Sequence, residues 1–517
     1  MTPRPAHTFY LTAAIDYVNG DPHLGHAYEK IGCDVLARHR RLRGDDVRFT
    51  VGSDEHSQSV ERAARDAGMA PEDFSTRQVD SFTTMMRAFD IEPTQFVRTS
   101  GDANRRTSET LWRTVAESGH IYKDWYRAWF CPSCEQYYTE KEIKAGMCPV
   151  HDRPVEWVEE QNWFFRLSAF EARLLELYED QPQFVAPEPR RNEMLNLIRG
   201  GLTDISISRG FSRWGIPVPG DESQVIWVWF DALPAYITGV GYPDDSDEFS
   251  RFWPADVHVI GKDITRFHAV VWPAILMAAG LAVPRKVHAH GFVTLNGEKM
   301  SKSRGIFVEP VQLVERFGSD AVRWVLLSEV PFDRDGDFSM SNFVDRYNAD
   351  LANDYGNLVS RTTKMVQRYF AGRVPPPGPR QPIDDELRST AARILPVLDA
   401  AIDRLAFSEA LAAAMQLVGR ANKYIEETAP WTLHRNGDPR LGTVCAELLE
   451  AIRVSTMLLH PFIPRATTRV AQEMGLALEG DLTAELRTWP ALTEGATIAV
   501  GEILFPRLDR EAALGAE

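Results

Sequence analysis

The sequence predicts a parallel α/β sheet split into two halves by a small cysteine-rich insertion and followed by an all-α helical bundle. Three observations carry that expectation. Apolar runs of strand length alternate with helical patterns from Phe9 to His290, Cys131-Pro132-Ser133-Cys134 and Cys148-Pro149-Val150-His151 interrupt the alternation, and beyond Asp320 the strand patterns cease. With 517 residues, 44% apolar and 25% charged, the chain is ordinary for a globular protein and too long for one core. A net charge of -16 excludes a protein that coats nucleic acid through an overall basic surface, and Arg38 to Arg43 reads either as a local basic patch or as a solvated helix end. No apolar run is long enough to span a membrane and the N-terminus lacks a signal-peptide core, so a cytoplasmic location is expected.

Phe9 to Ile15 has the residues of a buried strand, Asn19, Gly20, Asp21 and Pro22 punctuate, and Ala27 to Leu36 carries apolar groups at helical spacing. His23-Leu24-Gly25-His26 stands at that join. In a parallel sheet such a junction binds ligands, and the helix start presents unpaired N–H groups to an anion. Two imidazoles add hydrogen bonds to phosphate oxygens, while Gly25 lets a flat base approach the backbone. Asp45 to Gly52 reads as a second strand. Asp54, just beyond it, either meets a cationic group such as an α-amine or, with Ser53, caps the helix that follows. Helical patterns then cover Phe74–Phe89 and Ala103–Gly119, with a short strand at Phe96 to Arg98.

The two knuckles leave thirteen residues between Cys134 and Cys148 and each holds a proline. That spacing places three thiolates and an imidazole around zinc, with Cys131, Cys134, Cys148 and His151 leaving no open position, so the ion is structural. Disulfides or free thiols are the alternatives, and a reducing compartment disfavours the disulfides. Cys33 and Cys445 are isolated in apolar helical patterns and read as core. Asn162 to Phe184 reads as helix and the aromatic stretch Gln224 to Tyr236 as strand, with an acidic residue, Asp231, that suits either a pocket wall or a core. A second strand-turn-helix follows at Asp256 to Ala279, with Gly261 at the turn and Asp263 able to accept ribose hydroxyl hydrogen bonds. After the strand Val287 to His290, the loop Gly291 to Gly305 carries Lys299, Ser301, Lys302 and Ser303, groups able to close on a triphosphate and stabilise departing pyrophosphate. Helical patterns then run over 344–370, 385–403, 408–428 and 441–459, as in a bundle.

His23-Leu24-Gly25-His26 together with Lys299-Met300-Ser301-Lys302-Ser303 resembles the signature pair of class I aminoacyl-tRNA synthetases. From Phe9 to Leu508 the chain resembles the methionyl-tRNA synthetases, through Ala14, Ile15, Tyr17, Asp54, Trp229, Ala232, Tyr236, Ile264 and His268, the single Cys3His knuckle, and Ala429-Pro430-Trp431. The resemblance implies methionine activation by ATP, then transfer to the 3′ end of an initiator or elongator tRNA. It assigns Asp54 to the methionine ammonium and the other pocket residues, Ala14 and Ile15 among them, to the thioether side chain. His23, Gly25, His26, Gly261, Asp263, Lys299, Ser301 and Lys302 fall to ATP with Mg2+, and His23, His26, Lys299 and Lys302 to catalysis. Asn353, Asn357 and Arg361, four apart and so on one helix face, with Pro430 and Trp431, fall to the anticodon.

The expected domains are a Rossmann-type first half at 1–120, the connective insertion with its zinc knuckle at 121–222, a second half at 223–295, a lysine-loop and stem-contact region at 296–350, and a helical anticodon domain at 351–517. One departure is Asp16, where the family pattern has proline or an aromatic residue. Without an appended tRNA-binding module a monomer is expected. A branched-chain synthetase, the rival within the class, carries a much larger insertion, and a small adenylyltransferase leaves the helical domain unexplained.

Overall fold

The computed structural model describes residues 7–514 apart from 134, 135, 139, 141, 144, 151, 211 and 300–307. Contacts divide the chain into two compact units, one of residues 1–22, 47–85 and 92–290, the other of 23–46, 86–91 and 291–517.

The first unit is built on a six-stranded sheet in the order Gln95–Arg98, Asp46–Asp54, Thr8–Tyr17, Val257–Gly261, Val287–His290, Val185–Ala186. Thr8–Tyr17 runs parallel to Val257–Gly261 with Leu11 opposite Val257, and the next two pairings on that side are parallel too. Every residue of Val257–Gly261 and Val287–His290 is buried, His258, His288 and His290 included, as in a sheet covered on both faces. The chain order reverses direction across the sheet at Thr8–Tyr17, so the crevice for a ligand lies beyond Tyr17 and Gly261. The edge strand Val185–Ala186 comes from the stretch expected to be insertion alone.

Within 121–226 lies a separate antiparallel sheet in the order Gln136–Tyr138, Ile121–Cys131, Glu156–Phe165, Ile205–Ser206. Its central ribbon pairs without interruption from Ile121 opposite Phe165 to Phe130 opposite Glu156. This corrects the helix expected from Asn162: residues 162–165 finish a strand, Leu167–Phe170 is a 3-10 turn, and only Glu171–Asp180 is α-helical. The ladder decides it, because buried Asn162 donates to Ser206 Oγ at 3.0 Å across the neighbouring strand. The aromatic stretch is corrected likewise. Its strand stops at Ile226, and Val228–Ala232 and Ala235–Thr238 are helical turns on either side of Pro234, which cannot donate to a ladder.

The expected helix from Ile264 to Ala279 is three pieces: a 3-10 turn at Lys262–Ile264, a π turn at Phe267–Val271 and an α-helix at Trp272–Ala278. Pro273 explains the wide turn, since it has no N–H to offer the carbonyl of Ala269. That carbonyl instead accepts from the Tyr178 hydroxyl at 2.9 Å.

The second unit begins with the helix Leu24–Arg41 and holds a three-stranded sheet of Glu298–Lys299, Val293–Leu295 and Gly336–Phe338. The last of these lies beyond Asp320, where strands were expected to cease; it is three residues long and paired parallel to Val293–Leu295. Helices Asn357–Phe370, Pro382–Asp403, Phe407–Thr428, Arg440–Leu459 and Pro464–Met474 form the bundle, with Arg440–Leu459 buried along nearly all its length. Cys33 and Cys445 are fully buried, as their apolar settings predict.

Candidate active site

In the first unit the pocket residues converge by contact. Tyr17 meets Trp229 edge-on at 6.3 Å, Trp229 stacks on Phe267 at 3.8 Å, and His268 stands edge-on to Trp229 at 6.0 Å. His268 is fixed at both nitrogens. Its Nδ1 lies 3.0 Å from the carbonyl of Ile264, which can only accept, so Nδ1 carries a hydrogen, and Nε2 shares a hydrogen bond with the Tyr236 hydroxyl at 2.7 Å. The backbone of Tyr236 is held in turn by the Tyr10 hydroxyl at 2.5 Å. Ala14 belongs to the same core, Ile15, Tyr17 and Ile264 pack against it, and Ala232 is buried beside them in sequence.

Asp54 is the last residue of the strand Asp46–Asp54, not a residue beyond it, and is 2% exposed. Its carbonyl accepts from the N–H of Val18, next to Tyr17. The capping alternative fails: the helix Gln58–Asp66 is capped by Ser57 Oγ, and Ser53 Oγ donates to Glu55. Asp16 is buried at the end of the first strand.

At the other strand end, Gly261 precedes the 3-10 turn that carries exposed Asp263. A Cβ at Gly261 falls 2.8 Å from Asp263 Oδ1, so any side chain there would turn the exposed carboxylate aside.

In the second unit, His23 and His26 form a reciprocal cap on Leu24–Arg41. His23 Nδ1 accepts from the N–H of Gly25 at 3.1 Å and His26 Nδ1 from the N–H of His23 at 3.1 Å, with the rings stacked at 3.7 Å. Each Nδ1 is an acceptor, so each neutral ring carries its hydrogen on Nε2. A Cβ on Gly25 falls 3.0 Å from His23 Cε1, so this stack also favours glycine.

Lys299 ends the strand Glu298–Lys299; Ser301 and Lys302 lie outside the described residues. So do Cys134 and His151, while Cys131 and Cys148 are buried in one small cluster with Tyr138 and Val155, neither in a disulfide. Among the described residues no group of three or more metal-ligating side chains converges.

In the bundle, Asn353 sits in a π-helical stretch, Tyr347–Gly356, and Asn357 and Arg361 in the α-helix that follows. The three residues thus lie four apart across the junction between the π and α stretches. Arg361 Nη2 bonds Glu426 at 2.8 Å, near the end of Phe407–Thr428. Ala429 then turns left-handed at φ 44, Pro430 opens the next helix, and Trp431 is 41% exposed.

Sequence reasoning missed His56. Its Nδ1 lies 2.6 Å from Asp231 Oδ2, and Asp231 also accepts from Asn104 Nδ2 at 2.9 Å, all buried. The ring of His56 stands 4.9 Å from Trp214, whose Nε1 donates to the Glu55 carbonyl at 2.6 Å. The network ties the segment after Asp54 to the turn that carries Trp229 and Ala232. An acidic residue inside an aromatic run was the available signal.

The family model for "tRNA synthetases class I (M)" matches residues 9–155 and 148–363, and that for the "anticodon binding domain of methionyl tRNA ligase" matches 374–514. A methionine–tRNA ligase of Caldanaerobacter subterraneus is 44% identical over 98% of this chain and 80% of the relative. One of Brucella suis is 42% identical over 96% of this chain and 98% of the relative. Mycobacterium tuberculosis methionyl-tRNA synthetase, solved in complex with methionyl-adenylate, superposes with a TM-score of 0.93 at 42% identity over 97% of this chain and all of that one. The chain belongs to the class I methionine–tRNA ligases, enzymes that join methionine to tRNA at the expense of ATP.

Proposed function

We propose that Asp54 grips the methionine ammonium and that Ala14, Ile15, Tyr17, Trp229, Ala232, Tyr236, Ile264 and His268 enclose its thioether chain. A buried carboxylate suits the ammonium, and a wall of rings in which the Tyr236 hydroxyl and His268 already bond each other suits an apolar side chain. Gly25 lies under the adenine, and Gly261 with Asp263 holds the ribose. The methionine carboxylate oxygen attacks the α-phosphorus, the bond to the β-phosphate oxygen breaks, and pyrophosphate leaves with the electron pair. This step needs alignment and charge neutralisation more than a protein nucleophile. His23 and His26 supply neutral N–H donors to the phosphates, Lys299 and Lys302 supply positive charge with Ser301 beside them, and Mg2+ arrives with ATP. The hydroxyl of the tRNA 3′ adenosine then displaces AMP from the activated carboxyl.

Asn353, Asn357, Arg361, Pro430 and Trp431 read the anticodon of initiator and elongator tRNA, by amide and guanidinium bonds to base edges and by stacking on the exposed indole. The donor chemistry of Cys131, Cys134, Cys148 and His151 fits Zn2+, and the shared burial of Cys131 and Cys148 outside any disulfide supports it. The zinc holds the tip of the insertion together. The enzyme works as a cytoplasmic monomer, since one chain supplies every residue assigned a role; no helix among the described residues is long and apolar enough to cross a membrane.

One observation carries the catalytic reading: the paired cap that commits both histidine Nδ1 atoms and makes each Nε2 a donor. His23→Ala or His26→Ala is expected to slow methionine-dependent ATP–pyrophosphate exchange about a hundredfold, the usual effect of losing a donor to developing charge, with tRNA binding unchanged. Loss of tRNA binding with normal exchange contradicts the assignment.

A further inference from the structure

Glu55, the residue after Asp54, has no exposed surface, and every polar group it owns is bonded. Arg98 grips its carboxylate with two parallel bonds, Nε to Oε1 and Nη2 to Oε2, each 2.8 Å. Ser53 Oγ donates to Oε1 at 2.7 Å and Ser100 Oγ to Oε2 at 2.8 Å. The sheet register explains the convergence. Ser53 lies directly opposite Arg98 in the parallel pairing, and opposed residues share a face, so Glu55 closes on the side of the sheet that these two occupy. Asp54, between Ser53 and Glu55, takes the other face. A Cβ at Gly52, two residues earlier on that face, falls 2.8 Å from Ile15 Cγ2, so the face of Asp54 turns toward Ile15, a residue assigned to the methionine pocket. Thr99 brackets Asp54 along the backbone: its N–H donates to the Ser53 carbonyl at 3.1 Å, and its hydroxyl accepts from the Glu55 N–H at 2.9 Å. Both peptide groups flanking Asp54 are therefore held, which fixes the direction in which its side chain leaves the strand.

We propose that the Arg98–Glu55 clamp sets the position of Asp54 for the substrate ammonium, which makes Arg98 and Glu55 positioning residues of the methionine site. A buried carboxylate–guanidinium pair adds little net stability once both charges are desolvated, so what it delivers is fixed geometry. The clamp also settles the charge beside the pocket. Burial on its own raises the Glu55 carboxyl, but the bonds from Arg98, Ser53 and Ser100 outweigh it and hold the group below its ordinary value of 4.5. Glu55 is thus ionised, and the guanidinium balances it on the far face of the strand. The ammonium then meets one carboxylate, that of Asp54, at a place the backbone has already set, and a charge-assisted contact of this kind weakens when its partner is displaced.

The proposal rests on the reading of Asp54 as the partner of the ammonium, so both are tested in the full chain with one pair of competitive inhibitors of methionine-dependent ATP–pyrophosphate exchange. Methioninol carries the ammonium and the thioether chain; its deamino analogue is the same thioether alcohol without the amine. The wild type should hold methioninol the more tightly. Glu55→Gln keeps the shape of the side chain but turns an amide NH2 toward donors. It should weaken methioninol about tenfold, the loss of a hydrogen bond to a charged group, and leave the deamino alcohol unchanged. Arg98→Met should do the same, and Arg98→Lys, which keeps the charge, should recover part of the loss. The Arg98 side chain is one-third exposed, so its variants carry the test should Glu55→Gln fail to fold. Asp54→Asn should narrow the preference at least as far. If it does so while the Glu55 and Arg98 variants keep the wild-type ratio, the proposal is overturned and the reading of Asp54 stands. If Asp54→Asn keeps the ratio, or the wild type shows no preference, both fall. Equal loss of the two inhibitors in the Glu55 and Arg98 variants also overturns the proposal, because the clamp then supports the pocket as a whole.

Discussion

Two tryptophan-rich regions of the first unit make opposite use of the same residue type. In the pocket wall, Trp229 is 7% exposed, stacked on Phe267 and edge-on to both Tyr17 and His268, and the polar atoms of Tyr236 and His268 satisfy each other. On the ribbon, Trp125 and Trp157 are 60% and 55% exposed, although Trp157 meets Trp129 edge-on at 5.4 Å and Trp163 meets Trp112 at 6.3 Å. Burial makes the first set a shaped container whose removal leaves a cavity. On the ribbon the indoles of Trp129 and Trp163 cover the buried clusters, and much of Trp125 and Trp157 is left in solvent. Aromatic content alone therefore says nothing about role; the neighbours on each face decide it.

The comparison breaks most sharply at the pocket. Trp229→Ala is expected to lower kcat/KM for methionine activation about a hundredfold, the range for lost side-chain contacts in an apolar pocket. An exchange rate within a few-fold of wild type contradicts the enclosure. A smaller effect is expected at His56, a positioning residue that touches no substrate. His56→Ala removes the shortest hydrogen bond to buried Asp231 and should raise the KM for methionine about tenfold with kcat little changed, the cost of one unsatisfied buried acceptor. His56→Asn, which restores a donor near the Nδ1 position, should recover part of it, and an equal loss in both variants contradicts positioning by that bond.

Zinc removal should act on the ribbon and not on the pocket. Chelation is expected to lower the melting temperature of the insertion and to impair charging more than activation; a verified zinc-free protein with full charging activity and unchanged melting contradicts a structural zinc.

The smallest expected effect is on stability in acid. Burial holds the imidazoles of His258 and His288 well below their ordinary value of 6.5, and burial with the nearby Arg38 and Arg323 takes His460 to about 4. The unfolded chain binds protons at these positions that the folded chain refuses, so stability falls as pH drops below 6.5 toward 4. Asp320 acts in the opposite sense. Burial raises it to about 6, so the folded state takes up its proton first and gains stability as pH falls from 6 toward 3.8. Burial lowers His39 in the same way and raises Asp354, so four histidines outweigh two carboxyls, and the melting temperature should decline between pH 6.5 and 5. A rise over that interval contradicts the balance.

Much of this architecture was legible because period and punctuation agree locally. Phe9 to Ile15 is largely apolar on both faces, as a strand covered on both sides is, and Val257 to Gly261 and Val287 to His290 interleave apolar residues with buried histidines; the strand ends mark the crevice. What was not legible depends on partners distant in sequence. Asn162 to Phe165 suits a helix or a strand until Ser206 lies alongside, and Gly336–Phe338 is too short to read without Val293–Leu295. Pro273 announces a disturbance, but the π turn before it rests on the Tyr178 hydroxyl that takes up the Ala269 carbonyl. In the candidate site, motif residues named themselves, whereas His56 became visible only when Asp231, Asn104 and Trp214 came together around it.

The central claim is that the pocket formed by Trp229, Tyr236 and His268 selects methionine for activation. Amino-acid-dependent ATP–pyrophosphate exchange, run with methionine, isoleucine, leucine and valine, tests it most directly. The account predicts robust exchange with methionine and little with the branched or isomeric side chains; exchange driven by isoleucine in preference to methionine contradicts it.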